Sequence, residues 1–176
     1  MKKSLLDAGC VKKLEKAVQY ELGHFYLYKM LANKMQMLGY FGAQEYYLAE
    51  SKEEETHYQK HIDFLNDEGV LAKLPTLTPE KDDVSSLKES IETAYENELD
   101  LLKYYRELYK DEAMEYPEIA SHLNFFLDTQ REAVGFYGDI LSMFESEKDN
   151  HNICMIIDHK LKKLAYWKNL VTGLRI

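Results

Sequence analysis

Glycine and proline are scarce in this 176-residue chain, at 8 and 3 residues. That excludes a turn-dense all-β domain and a low-complexity linker. Only two cysteines occur, Cys10 and Cys154, far apart and in no CxxC pair. Neither a disulfide framework nor a zinc knuckle is implied, and a reducing cytoplasmic setting is expected. No apolar run approaches the roughly 18 residues of a membrane span. The start, Met1-Lys2-Lys3-Ser4-Leu5-Leu6, turns polar from Asp7 onward before a signal-peptide core forms. Positive charge is also in deficit: 22 basic against 31 acidic residues leave a formal −9. Nucleic acid and anionic membranes are repelled by such a chain, whereas cations are natural partners.

What remains is helix. Breaks at Gly39 with Gly42, from Gly69 through Pro75 and Pro79, and at Tyr116-Pro117 divide one domain, 1–176, into long periodic segments. The pattern predicts helices at about 5–38, 41–68, 85–112 and 117–147, each roughly 40 to 50 Å long. A shorter helix at about 152–165 and a tail, 166–176, follow. Two of the connections are short enough for antiparallel neighbours, while the one between the second and third helices is long enough to cross a whole bundle. The last segment gathers Lys160, Lys162, Lys163, Lys168 and Arg175 against Leu161, Leu164, Trp167 and Leu170. That pattern suits a helix packed on its own bundle or on a neighbouring subunit, with a helix lying on a membrane surface as the alternative.

Polar residues interrupt the apolar stripes at mid-length. Glu21 sits among Leu14, Val18, Phe25 and Tyr28, with His24 one turn on, and Glu98 sits among Ile91, Tyr95, Leu102 and Tyr105. Glu54 and His57 share a face through their i, i+3 spacing, and Gln130 lies among Phe126, Leu127, Val134 and Tyr137. An unpaired buried carboxylate costs several kcal/mol or stays protonated. Each residue alone is open to a plain reading, a core glutamate met by a lysine or a tyrosine hydroxyl. One such position per long helix instead suggests a shared centre, and carboxylate oxygens with imidazole suit iron or manganese.

The stretches YELGHFYLY (20–28), AESKEEETH (49–57), HIDFLNDEG (61–69), AYENE (94–98), FFLDTQREA (125–133) and IIDHKLKKL (156–164) together resemble the non-haem ferritins. The resemblance implies an all-α, ferritin-like four-helix bundle with a long crossover and a short fifth helix. It implies a diiron ferroxidase centre on Glu21, Glu54, His57 and Glu98, with Glu54 bridging, and Tyr28 and Gln130 beside it. Glu53 and Glu132 fall on two of three carboxylates that hold a third iron in bacterial relatives; the remaining position is Thr129. Glu55 stands where a haem-binding methionine would, and Ala133 removes a second ExxH, so no haem is expected. Ala120 and Leu123 replace the acidic pore positions of animal ferritins. His24 and His61 have no counterpart among the usual ligands and are expected as hydrogen-bonded core imidazoles, or otherwise as further ligands.

The implied function is iron storage: Fe(II) is oxidised by O2 or H2O2 and kept as ferric mineral in a homo-oligomeric cage of 24 subunits, with no nucleic acid or membrane partner. The alternatives are a rubrerythrin-like peroxide reductase or oxygenase without storage, a DNA-protecting miniferritin, and a metal-free bundle.

Overall fold

A computed structural model describes residues 3–77, 83–147 and 150–171. Helix α1 is Ala8–Leu38 and begins three residues later than predicted. Asp7 caps it, its Oδ1 accepting the N–H groups of Gly9 at 2.5 Å and Cys10 at 2.9 Å. Leu5 stays outside the helix, its N–H bonded to the Glu68 carbonyl. Gly39, at φ +84°, ends α1 in the left-handed conformation.

Helix α2 is Phe41–Asp67, α3 is Leu87–Glu112, α4 is Pro117–Ser146 and α5 is Ile153–Val171. Ser86 caps α3 by accepting the Glu89 N–H, and Glu89 reaches back to the Ser85 N–H at 2.7 Å. Pro117 opens α4, where its missing N–H is no loss. Among the described residues no helix is long and apolar enough to cross a membrane.

Two apolar clusters fill the bundle. One joins Leu31 and Met35 near the end of α1, Ala43 and Tyr47 near the start of α2, Leu87 and Ile91 of α3, and Tyr137 and Ile140 of α4. The other joins Leu14 and Val18, Leu65, Tyr105 and Leu108, and Ile119 and Leu123. The late part of α1 thus packs at the same end as the late part of α4, and the starts of α2 and α3 meet there. α2 and α3 therefore run in parallel, and the end of α2 and the start of α3 stand at opposite ends of the bundle, as the predicted crossover requires. Between the clusters lie Glu21, Glu54, His57, Glu98 and Gln130, all buried.

The predicted 152–165 helix with a following tail is corrected: α5 continues to Val171. Ile157, Leu161 and Ala165 recur at i, i+4 and are buried on the first cluster, and Lys168, one turn on, is held by acidic side chains of α2. The basic segment thus packs on its own bundle. Arg175 and Pro79 lie outside the described residues.

Candidate metal centre

Glu21 and His24 project from α1, Glu54 and His57 from α2, and Glu98 from α3. Their ligand atoms form two groups, each within 4.8 Å: Glu21, Glu54 and His57, and His24, Glu54 and Glu98. His57 Nδ1 lies 3.1 Å from Glu54 and 3.5 Å from Glu21. Glu54 belongs to both groups. Glu98 is held from outside the pair, accepting hydrogen bonds from the Tyr28 hydroxyl on one oxygen and from Gln130 Nε2 at 2.6 Å on the other. Tyr137 in turn donates to Tyr28. All four long helices therefore reach one centre, as the mid-stripe polar positions suggested.

Three carboxylates this close need positive charge between or beside them. Burial opposes the charged form of Glu21, but the adjacent His57 and Glu54 side chains and the charge of the nearby imidazoles hold it below the usual carboxylate range. Glu98 is likewise held down by His24 and Tyr28 against the cost of burial. Burial and the Glu21 charge push the Glu54 carboxyl well above its ordinary value, and the His57 imidazole beside it pulls the other way. His57 rises to about 11 because its carboxylate neighbours outweigh burial. Buried Glu21 Oε2 and His24 Nδ1 have no hydrogen-bond partner. Buried polar atoms are rarely left so, and a carboxylate–imidazole set of this kind fits iron.

The sequence profile of the Ferritin-like domain family matches residues 11–146. The chain belongs to that family. Among curated proteins it is 26% identical over 168 residues to a bacterial non-heme ferritin of Staphylococcus saprophyticus, covering 94% of this chain and 97% of that one. It is 25% identical over 156 residues to the bacterial non-heme ferritin of Staphylococcus aureus. Among solved structures it resembles an open pore ferritin from the archaeon Archaeoglobus fulgidus, with TM-score 0.81, 23% identity and coverage of 89% and 96%. A humanized archaeal ferritin gives TM-score 0.82 at 22% identity, again covering 89% and 96%. The non-haem ferritin resemblance and the all-α bundle with its fifth helix are borne out.

Two predicted ligands of this ferritin are not brought to either group. Glu53 is partly buried and pairs with Lys168 at 2.7 Å, and Lys168 also holds buried Glu50 at 2.6 Å. Glu132 is exposed beside Arg131, 3.7 Å away. The ammonium of Lys168 already occupies the space a cation would need at Glu53, and nothing in the sequence announced that contact. Thr129 turns its hydroxyl to the Phe125 carbonyl.

His61 is a buried, hydrogen-bonded core imidazole, one of the two roles expected for it, and its partner His122 escaped the sequence reading. Tyr105 donates to Glu21, so the Tyr105 oxygen accepts from His61 Nε2 at 2.8 Å. His61 Nδ1 is then left to accept from His122 Nε2 at 2.9 Å. Every donor points toward Glu21 and favours its carboxylate. His61 is stacked on Phe126, and His122 on Phe64. Burial lowers His61 to about 3; for His122 burial and Lys60 lower it to about 4.

A pH prediction follows from these two groups. Unfolded histidine titrates near 6.5, so below that pH the unfolded chain takes up protons that folded His61 and His122 refuse. Stability of the metal-free protein is expected to fall as pH drops from about 6.5 toward 4, by roughly 1.4 kcal/mol per unit for His61. His57 acts in the opposite window: its contribution is complete below about 6.5 and fades as pH rises toward about 11. Melting temperatures of the metal-free protein and of His122→Leu, compared from pH 6.5 to 4.5, test the acid branch. The variant should decline less steeply, and equal slopes would remove His122 from this account.

Proposed function

We propose that this chain is an iron-storage ferritin subunit that takes two Fe(II) ions as substrate between Glu21, Glu54, His57 and Glu98 and delivers their electrons to O2 or H2O2. The observation that carries the reading is the pair of buried ligand groups sharing Glu54. Two adjacent ferrous ions give one electron each to one dioxygen, which leaves with two protons as hydrogen peroxide and bypasses superoxide. Ligands bind metal deprotonated, so any proton held by Glu54 or His57 is released as cations arrive. The carboxylates then stabilise the higher charge of Fe(III). Tyr28 and Gln130 fix Glu98 in place from its far side, which leaves its remaining lone pairs for the metal. Tyr28 stays a phenol, since burial and Glu98 push it well above its ordinary value.

Storage requires assembly, and a homo-oligomeric shell of 24 subunits enclosing ferric mineral is the arrangement we infer. The net acidity suits the concentration of Fe(II). The setting is the cytoplasm, in keeping with two unpaired cysteines, Cys10 and Cys154. A diiron oxidoreductase without storage is the weaker reading, because α4 supplies the pair with Gln130 and Ala133 and no carboxylate.

Sizing the purified protein and then titrating it aerobically with Fe(II) tests this. A particle of several hundred kilodaltons that takes up far more than two irons per chain is the expected outcome. Uptake that stops near two would favour the oxidoreductase, and no uptake would return the chain to a structural bundle.

A further inference from the structure

The centre contains one imidazole beyond the four ligands Glu21, Glu54, His57 and Glu98. His24 is 4% exposed, and its Nδ1 is buried without a hydrogen-bond partner, 3.6 Å from Glu98 Oε1. That is too far for a hydrogen bond. It is close to what two ligands of one ion require: with metal–ligand bonds of about 2.1 Å, neighbouring donor atoms stand about 3 to 4 Å apart. His57 Nδ1 stands at nearly the same spacing, 3.5 Å, from Glu21.

The two imidazoles also have the same origin in sequence. Glu21-x-x-His24 on α1 repeats the spacing of Glu54-x-x-His57 on α2. Around the shared Glu54, one group adds Glu21 and His57, and the other adds Glu98 and His24. Each is one further carboxylate and one imidazole, so the two halves match in composition. A groove of about 810 Å³ beside α1, lined by Gly23, His24, Asn97, Pro75 and others, gives His24 a route from solvent.

We propose that His24 is a direct ligand of the second cation through Nδ1, so that each ion of the pair carries its own imidazole. The inference rests on the ferroxidase reading of the pair and adds to it a ligand on α1. An imidazole in place of a further oxygen makes the second position accept borderline cations such as Zn(II) more tightly than an all-oxygen set would.

Zinc is a suitable probe because it binds without redox chemistry. Calorimetric titration of the metal-free protein should show two tight Zn(II) per chain. X-ray absorption of the wild-type protein at two equivalents should give one imidazole per zinc; half an imidazole per zinc would overturn the proposal without any variant. His24→Ala and His24→Gln should keep one tight site and weaken the other by at least about 10-fold. Free imidazole, admitted through the groove, should restore the second site in His24→Ala. Two unweakened sites in both variants would overturn the role of His24 while leaving the pair standing. A wild-type chain that binds no zinc would instead sink the ferroxidase reading itself.

Discussion

Glu54→Gln should slow the initial aerobic oxidation of Fe(II) on the order of 100-fold or more and at the same time make the metal-free protein harder to melt. The first effect follows from position, since Glu54 alone belongs to both ligand groups and an amide cannot bridge two cations as a carboxylate does. The second follows from charge. Burial and Glu21 push the Glu54 carboxyl well above its ordinary value. A carboxyl raised in the folded state opposes folding once the pH is above the ordinary carboxylate range. The sign is the reverse of that for Glu21 and Glu98, whose depressed values favour folding above the carboxylate range. Glutamine removes the penalty, and each kcal/mol gained raises the melting temperature of a chain this size by about 2–4 °C. Stopped-flow absorbance of the ferric product and melting of the apo variant read the two effects separately. An unchanged initial rate would end the bridging assignment. A lower melting temperature would mean that Glu54 is there for the fold, since loss of function with a gain of stability marks a group kept for chemistry.

The parts of this structure that were legible in the sequence are those set by local spacing. Gly39 and Pro117 bound helices where they stand, the apolar stripes give the inward faces, and Glu21, Glu54, His57, Glu98 and Gln130 interrupt those stripes at one level. Capping was harder to place: Asp7 and Ser86 outcompete the residues before them as first-turn acceptors, which moves two helix starts inward. Contacts between distant segments were not legible at all. Lys168 lies 115 residues from Glu53 and yet neutralises it. His122 lies 61 residues from His61 and completes its hydrogen bonding. The spacing of Glu21 to His24 was visible, but whether the imidazole faces a bond partner or an open ligand position is decided only by the packing of α1 against α3.

Gly42→Ala should cost stability out of proportion to a single methyl group, because of how α5 rests on the start of α2. Tyr40 offers α2 no side-chain cap. The missing acceptor comes from α5 instead, where Asp158 Oδ1 takes the Ala43 N–H at 2.8 Å and places negative charge at the positive end of the helix. So close an approach needs glycine at position 42. A Cβ there would lie inside van der Waals contact of the Asp158 carbonyl oxygen and 3.0 Å from Lys162 Cβ. Backbone on both sides cannot step aside as a flexible side chain would. One outcome is overpacking strain, roughly 3 kcal/mol. The other is release of α5, which uncovers Ile157 and Leu161, each worth about 1.5–3 kcal/mol when buried, and strips Lys168 from Glu50 and Glu53. Both outcomes lower the melting temperature, and protease cleavage within α5, at Lys160 or Lys163, tells them apart by rising only in the second. Gly135→Ala is the matched control: it sits exposed in α4 with nothing within 4 Å of an added Cβ, and should stabilise by about 0.5–1 kcal/mol. If both variants melted alike, the close seating of α5 on α2 would be wrong.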